Sequence, residues 1–214
     1  MEDLIKKYPI IESLKVSRET CLDFDKYLSM IRKKNEEINL ISIKDRTNDN
    51  IMVRHMIDSA QVIDFIDLKS NTTTDLGSGG GFPGIITAII LKNMKKNIKI
   101  NLYEKSYHKA VFLNEVSREL KLNTEIFQRD IFKIKNLKTG SIMTRAFKPL
   151  SVILDLVCNN FNDYKNLIVF MGKSGEKILK ENLKKWDLQF EKKISITSKD
   201  SFLLNITKIK KKLN

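Results

Sequence analysis

The residues most suited to chemistry lie in one short segment, TTTDLGSGGGFPGII at positions 72 to 86. It holds five of the chain's eight glycines. A β-branched run precedes these glycines, and an apolar helical pattern begins at Pro83. Glycine permits positive φ and lets backbone N–H groups approach a ligand closely, while a helix N-terminus adds partial positive charge. The spacing therefore predicts a strand, a loop and a helix that together bind a ligand.

The glycine cluster satisfies two ligand-binding patterns at once. In the first, glycines from Gly79 to Gly84 spell G-x-G-x-x-G, the fingerprint of dinucleotide-binding proteins. In the second, Asp75 begins D-x-G-x-G-x-G, with Gly77 and Gly79 as its first two glycines, and this is the loop of S-adenosylmethionine (SAM)-dependent methyltransferases. Both ligand classes use an acidic residue after the second strand to bind ribose hydroxyls. Glu104 suits either pattern.

Three features favour SAM over NAD. The carboxylate of Asp75 suits the sulfonium and ammonium of SAM, whereas a diphosphate gains nothing from a second negative charge nearby. Asp130 ends the third predicted strand, from which it can reach the exocyclic amine of adenine, with Ile131 lining the base. The chain also closes with a β-hairpin, which is common in methyltransferases and unusual in dehydrogenases. An NAD-dependent oxidoreductase stays the alternative within enzymes.

The chain has two regions with different patterns of apolar residues. Residues 1–70 carry helical periodicity, as in TCLDFDKYLSMIRKKNEEINLI and NIMVRHMIDSAQVIDFI, whereas short strands alternate with helices from residue 72 onward. Such βα units imply a parallel sheet covered on both faces. Seven strands are predicted, in TTTDL, NIKINLYE, NTEIFQRD, GSIMTRA, NLIVFMG, LQFEKKISI and FLLNITKIK. We therefore predict an N-terminal helical extension at 1–70 and a Rossmann-like α/β SAM-binding domain at 71–214, closed by an antiparallel hairpin.

Composition limits the domain number, cellular environment and partners that can be expected of the protein. The 214 residues fit one domain with a small appendage, and no apolar run is long enough to cross a bilayer. The start resembles no signal peptide, and Cys21 and Cys158 are far apart in apolar helical patterns, so we expect buried thiols in a reducing cytoplasm. The net charge of +13 favours a polyanionic partner, but 32 lysines against 7 arginines are equally compatible with compositional drift.

The longer motifs resemble those of one family. DLGSGGGFPGI, EKSYHKAVFLNEVSREL, TRAFKPL and MGK are similar to segments of the RsmG (GidB) family of bacterial methyltransferases. Upstream, NEEINLISI and VRHMIDS match further family patterns, so the resemblance covers roughly residues 30 to 175. Lys34 and His108 depart from the family's usual residues. The family methylates N7 of a guanine in the decoding-centre (530) loop of 16S ribosomal RNA, and the resemblance implies that activity here.

The resemblance also implies which residues act. It places SAM, which leaves as S-adenosylhomocysteine, at Gly77, Phe82, Asp130, Ile131 and Arg145, while the loop pattern and the position after the second strand add Asp75, Gly79 and Glu104. Arg54, Lys109 and Phe147 are expected to contact RNA. The partner is 16S rRNA or the small ribosomal subunit, and the protein is expected to be a monomer without metal or membrane.

The expected chemistry needs no catalytic acid, base or nucleophile, because N7 of guanine carries a lone pair and no proton. Catalysis would be positioning in a dry pocket. The target base must be unpaired, since the major groove of A-form RNA is closed to side chains, and an aromatic or arginine platform would hold it.

Some of these residues have an alternative, structural interpretation. For Phe82 a hydrophobic plug is the alternative to base contact. His55 and Asp58 are interpreted as a clamp between the N-terminal helices and the sheet. A non-catalytic RNA-binding protein that retains the fold is the alternative outside enzymes.

Overall fold

The computed structural model describes residues 16–41 and 51–212. Five α-helices longer than one turn lie in this part of the chain: α1 (Arg18–Asn35), α2 (Gly84–Asn93), α3 (Tyr107–Glu119), α4 (Leu150–Asn160) and α5 (Gly175–Leu183). Residues 52–65 form a mixed helical segment of π, α and 3₁₀ turns, between α1 and the first strand. No helix in the described ranges is long and apolar enough to cross a membrane.

One seven-stranded sheet carries the fold. The strands of the described chain are β1 (Thr72–Leu76), β2 (Lys99–Tyr103), β3 (Thr124–Phe127), β4 (Leu137–Lys138), β5 (Ser141–Thr144), β6 (Phe161–Asp163), β7 (Asn166–Met171), β8 (Trp186–Ile194) and β9 (Phe202–Lys211). The order in the main sheet is β3-β2-β1-β5-β7-β9-β8, and β4 pairs with β6 separately. All pairs from β3 to β7 are parallel, whereas β9 is antiparallel to both β7 and β8. The predicted α/β class and C-terminal hairpin are confirmed.

The polar strand TTTDL lies at the centre of this sheet. Thr73 and Thr74 in β1 are fully or almost fully buried, and Thr74 pairs its hydroxyl with that of Thr139 at 3.1 Å. A buried hydroxyl is tolerated when it finds a hydrogen-bond partner. Thr74 meets this condition, whereas the buried hydroxyl of Thr73 has no hydrogen-bond partner in the described part of the chain, so its place in the strand rests on its β-branched shape.

Two apolar layers cover the sheet. On one face α1, the segment 52–65, α2 and α3 surround a core that includes Phe24, Ile31, Ile89 and Phe112. On the other face α4 and α5 cover a second core around Leu154. The N-terminal helices thus share a core with the α/β unit. The division at residue 70 stays a prediction, since it rests on sequence texture alone.

Several local expectations are corrected. Strand β3 ends at Phe127, three residues before Asp130, because the Asp130 carboxylate caps a 3₁₀ turn instead. Pro83 precedes α2 as its N-cap and is not its first residue. The expectation of buried thiols is wrong for Cys158, which is exposed, and Cys21 is half-buried. Both lie on amphipathic helices, at positions beside the apolar face and not within it.

Candidate active site

A cavity of about 450 Å³ opens at the carboxyl edge of the parallel strands, where the loops after β1, β2, β3 and β5 converge. Ligand pockets in proteins typically measure about 300–1,000 Å³, and open α/β sheets bind ligands at this edge. Nine residues expected from the sequence line it together: Gly77, Gly79, Phe82, Glu104, Lys109, Asp130, Ile131, Arg145 and Phe147. Asp75 and Arg54 lie outside its wall.

The glycine loop forms one side of the cavity. Gly77, Gly79 and Gly81 all have positive φ, at +70°, +56° and +101°. A Cβ atom at Gly77 would lie 2.1 Å from the ring of Phe147, so this position has neither the conformation nor the space for a side chain. The loop therefore brings bare backbone to the cavity, as the spacing predicts.

Glu104 fixes the glycine loop from the neighbouring strand. Its Oε2 accepts a hydrogen bond from the Gly79 N–H at 2.9 Å, and its Oε1 accepts one from the Ser106 N–H at 2.8 Å. Each carboxylate oxygen keeps a second lone pair for another donor. Glu104 is thus both a brace for the loop and an acceptor at the cavity wall.

Asp75 lies beneath the loop and is fully buried. Its Oδ2 accepts a hydrogen bond from the Gly84 N–H at 3.1 Å, which joins the end of β1 to the start of α2. Burial, with a smaller contribution from the charge of Glu104, raises the pKa of this carboxyl from 3.8 to about 7, against the opposing effects of hydrogen bonds with Ser78 and Gly84. Its role as a direct cofactor ligand stays a prediction.

Tyr27 holds the same loop from α1. Its hydroxyl donates a hydrogen bond of 2.5 Å to the Gly80 carbonyl, and the side chain is fully buried. Burial, followed by the charge of Asp75, raises the pKa of Tyr27 well above its usual value, so the hydroxyl stays a donor at neutral pH. The sequence shows Tyr27 only as one member of an apolar helix face, and no motif identifies its contact with the loop.

The ring of Phe82 packs into the protein. Its centroid lies 5.6 Å from that of Tyr27 and 5.1 Å from that of His55, and the residue is 7% exposed. This packing favours the plug interpretation over stacking on a base. A cofactor contact by Phe82 stays a prediction.

Arg145 connects the cavity to the mixed helical segment. Its Nη1 lies 2.9 Å from Nδ1 of His55, which must accept because a guanidinium only donates. Its Nη2 donates to the backbone carbonyl of Arg54 at 2.5 Å and lies 3.4 Å from Oδ2 of Asp58. Arg145 thus joins His55 and Asp58 to the end of β5.

Asp58 is also bound from the C-terminal side of the chain. Its Oδ1 accepts hydrogen bonds from the hydroxyls of Ser195 and Thr197, at 2.9 and 3.0 Å. These contacts tie the mixed helical segment to the turn between β8 and β9 as well as to Arg145. They support the clamp interpretation of His55 and Asp58, with Arg145 as the link between them.

The turn after β3 is braced from two directions. The Asp130 Oδ1 accepts a hydrogen bond from the Phe132 N–H at 3.1 Å. The buried amide of Asn160 in α4 donates to the carbonyls of Ile131, Phe132 and Ile134, at 3.1, 3.2 and 2.5 Å. Asp130 and buried Ile131 are thereby held at the cavity wall. Neither Asn160 nor Phe132 was singled out from the sequence, because no motif marks them.

Basic side chains surround the cavity mouth. Lys105, Arg129 and Lys148 join the predicted Lys109 and Arg145 in its lining, while Glu104 and Asp130 are the carboxylates of that lining. Of the residues described, no group of three or more histidines, cysteines or carboxylates could hold a metal ion. The cavity thus combines an inner wall of backbone and two acids with a basic rim.

Comparison with known proteins identifies the family to which the chain belongs. The family model GidB, described as rRNA small subunit methyltransferase G, matches residues 20–206. The chain belongs to the GidB family. Ribosomal RNA small subunit methyltransferase G of Pelagibacter ubique (strain HTCC1062) is 59% identical over 212 residues, which cover 99% of this chain and 100% of that protein.

Solved structures agree on the fold. The 16S rRNA methylase RmtB superposes with a TM-score of 0.55 at 11% identity, covering 86% of this chain and 74% of that one. A mutant of MtNAS in complex with S-adenosylmethionine gives a TM-score of 0.57 at 11% identity, covering 97% of this chain and 82% of that one. The GidB-family chain therefore has the predicted fold of class I SAM-dependent methyltransferases.

Proposed function

We propose that this GidB-family protein transfers a methyl group from S-adenosylmethionine to N7 of a guanine in the decoding-centre (530) loop of 16S rRNA. The observation that carries the proposal is the cavity that gathers nine sequence-predicted residues, within a chain that the family model matches over residues 20–206. The names of the relatives supply the substrate class, ribosomal RNA of the small subunit.

The inner wall of the cavity fits the cofactor. Bare backbone at Gly77 and Gly79 admits a close approach, and Glu104 offers carboxylate oxygens of the kind that bind ribose hydroxyls. Asp130 and Ile131 would face the adenine, one as acceptor for its amine and one as an apolar surface. Bound there, S-adenosylmethionine supplies an electrophilic methyl group on a sulfonium that leaves as S-adenosylhomocysteine.

The side chains of the site have no proton to move. The guanine N7 presents a lone pair, so none of the cavity residues acts as acid or base in this proposal. Their task is to hold the base and to exclude water, which strengthens each remaining contact. Arg145, fixed by His55 and Asp58, offers donors at the end of β5 beside Phe147.

The outer rim fits RNA. Lys105, Lys109, Arg129 and Lys148 present positive charge at the mouth, where phosphates of an unpaired loop would lie. Arg54 lies outside the cavity wall, where its backbone carbonyl accepts from Arg145, and its contact with RNA stays a prediction. We infer the small ribosomal subunit as partner, and a cytoplasmic monomer as the acting form.

Transfer of a labelled methyl group from S-adenosylmethionine to small subunits tests the proposal directly. The subunits come from cells that lack this modification, and the labelled nucleotide is mapped. Label at N7 of the guanine in the 530 loop is expected. Label at another nucleotide would overturn the target, and binding of S-adenosylmethionine without any transfer would overturn the reaction.

A further inference from the structure

The turn that carries Asp130 also presents an exposed aromatic ring. Phe132 is 36% exposed although it lies beside the cavity, and it stacks on Phe147 with ring centroids 6.0 Å apart and planes 29° from parallel. Phe147 in turn packs against Gly77. Phe132 lines the cavity, so its exposed ring is available to a ligand that binds there.

We propose that Phe132 is the stacking platform for the target base. The proposal rests on the function proposed above and names the side chain that recognises the unpaired purine. Stacking of a base on an aromatic ring is worth about 1–3 kcal/mol per base. Phe82, one of the rings expected from the sequence to take this role, is buried between Tyr27 and His55, whereas Phe132 is exposed at the cavity wall and stacks on Phe147, the other expected ring.

The backbone beneath Phe132 is rigid. The Asp130 carboxylate accepts from its N–H, and the buried Asn160 amide donates to its carbonyl and to those of two neighbours. A platform must be preorganised if stacking is to be stronger than the entropy lost on binding. Phe132 therefore meets the base in a fixed position, and no loop has to be ordered first.

The ring of Phe132 connects the loop after β3 to the loop after β5. Phe132 follows β3, yet its ring lies on Phe147 after β5, and β2 and β1 intervene between those strands. Glu104, which would bind the ribose, follows β2. Arg145 and Lys148 flank Phe147 on the β5 side. The ring of Phe132 thus lies beside Phe147 and near basic groups that suit RNA.

Three substitutions test this role. Phe132→Ala and Phe132→Leu both remove the aromatic face, and leucine still covers Phe147, whereas Phe132→Trp retains stacking. Methyl transfer to small subunits should show KM raised by about 5- to 150-fold for alanine and leucine, with near wild-type KM for tryptophan. The Kd of S-adenosylmethionine, measured by calorimetry, should stay unchanged in all three. Phe190→Ala is the matched control, since Phe190 is 37% exposed on β8, far along the sheet.

Each other outcome overturns the inference in a distinct way. If leucine restores the wild-type KM, Phe132 acts as an apolar cover for Phe147 and not as a stacking platform. If the Kd of S-adenosylmethionine rises, the ring contacts the cofactor. If Phe190→Ala has the same effect, the loss is not local. Failure of the proposed function would appear differently, because wild-type protein would then transfer no methyl group.

Discussion

At the scale of single residues, Asp75 has the most consequential environment. Its carboxyl is fully buried beneath the glycine loop, and one oxygen holds the Gly84 N–H at the start of α2. Burial raises its pKa to about 7, so the group is partly protonated at neutral pH. The attraction of a carboxylate for the cationic cofactor, which favours SAM at the level of sequence, is therefore strongest once the pH exceeds 7 or a cation lies nearby.

This pKa predicts a pH-dependent stability. The folded state holds a proton on Asp75 that the unfolded state loses above pH 3.8, so the free energy of unfolding falls as pH rises from about 4 to about 7, by at most about 4 kcal/mol. Asp75→Asn keeps an oxygen for Gly84 and removes the titration. The Tm of this variant minus the wild-type Tm should therefore increase between pH 5 and pH 8.

Thermal unfolding without cofactor, at four pH values, measures this difference. The other titrating groups are common to both proteins, so their contributions largely cancel. A difference in Tm that stays constant from pH 5 to pH 8 would show that Asp75 does not titrate in that range in the folded state.

At the scale of elements, the glycine loop is held by three neighbours. Glu104 after β2 accepts from Gly79, Asp75 in β1 accepts from Gly84, and Tyr27 in α1 donates to Gly80. The first two contacts are local to the α/β unit, whereas the third comes from the N-terminal helices. The shape of the cofactor loop therefore depends on α1.

Tyr27→Phe tests that dependence. The substitution leaves the buried Gly80 carbonyl without its donor, which costs about 1–3 kcal/mol and lowers Tm by roughly 3–10 °C. It should also raise the Kd of S-adenosylmethionine, because α1 no longer holds the glycine loop through a hydrogen bond to Gly80. Calorimetry and thermal unfolding give the two values. Tyr107→Phe, at a residue 62% exposed, is the control and should change neither.

An unchanged Kd in Tyr27→Phe, together with a lowered Tm, would limit α1 to a stabilising role. An unchanged Tm would mean that water replaces the lost donor.

How far sequence predicts these elements depends on burial pattern and length. Strands such as NLIVFM, buried on both faces, form continuous apolar runs that the sequence predicts, whereas polar TTTDL is indicated by its β-branched residues and by the glycines that follow it. Strands β4 and β6 have two and three residues, too few for a periodicity, and no pattern indicated them. Positions such as Asp130 were misplaced by a few residues because capping contacts, not hydrophobicity, end a strand there.

The residues of the site also divide into those that local sequence predicts and those that only tertiary packing brings to the cavity. Glycine spacing and acids after strands identified the cavity wall, because those residue types follow from local backbone geometry. The contacts of Tyr27, Asn160 and Phe132 are tertiary, since each side chain meets a segment distant in sequence. Only the packed chain brings them to the cavity.

At the scale of the whole molecule, the net charge of +13 predicts attraction to RNA, either as a diffuse field or through specific phosphate contacts. Two lysine sets of equal size lie at opposite edges of the sheet. Lys105, Lys109 and Lys148 line the cavity at the strand carboxyl ends, which we name the rim set. The distal set, Lys95, Lys96 and Lys121, lies beyond the C-termini of α2 and α3.

Replacing either set by glutamine lowers the net charge by the same amount, so a general attraction to RNA would weaken equally in both triple variants. Specific phosphate contacts, in contrast, would be lost only in the variant that lacks the lysines making them. We expect the rim variant to bind small subunits more weakly, and its slope of log affinity against log salt to shrink by about 2, since each contact to single-stranded RNA contributes about 0.7. The distal variant should retain the wild-type affinity and slope. Binding measured from low to moderate salt gives both quantities.

Equal losses of affinity in the two variants would mean that the charge acts as a diffuse field, which compositional drift alone could supply. A loss only in the distal variant would move the RNA contact to the far edge of the sheet.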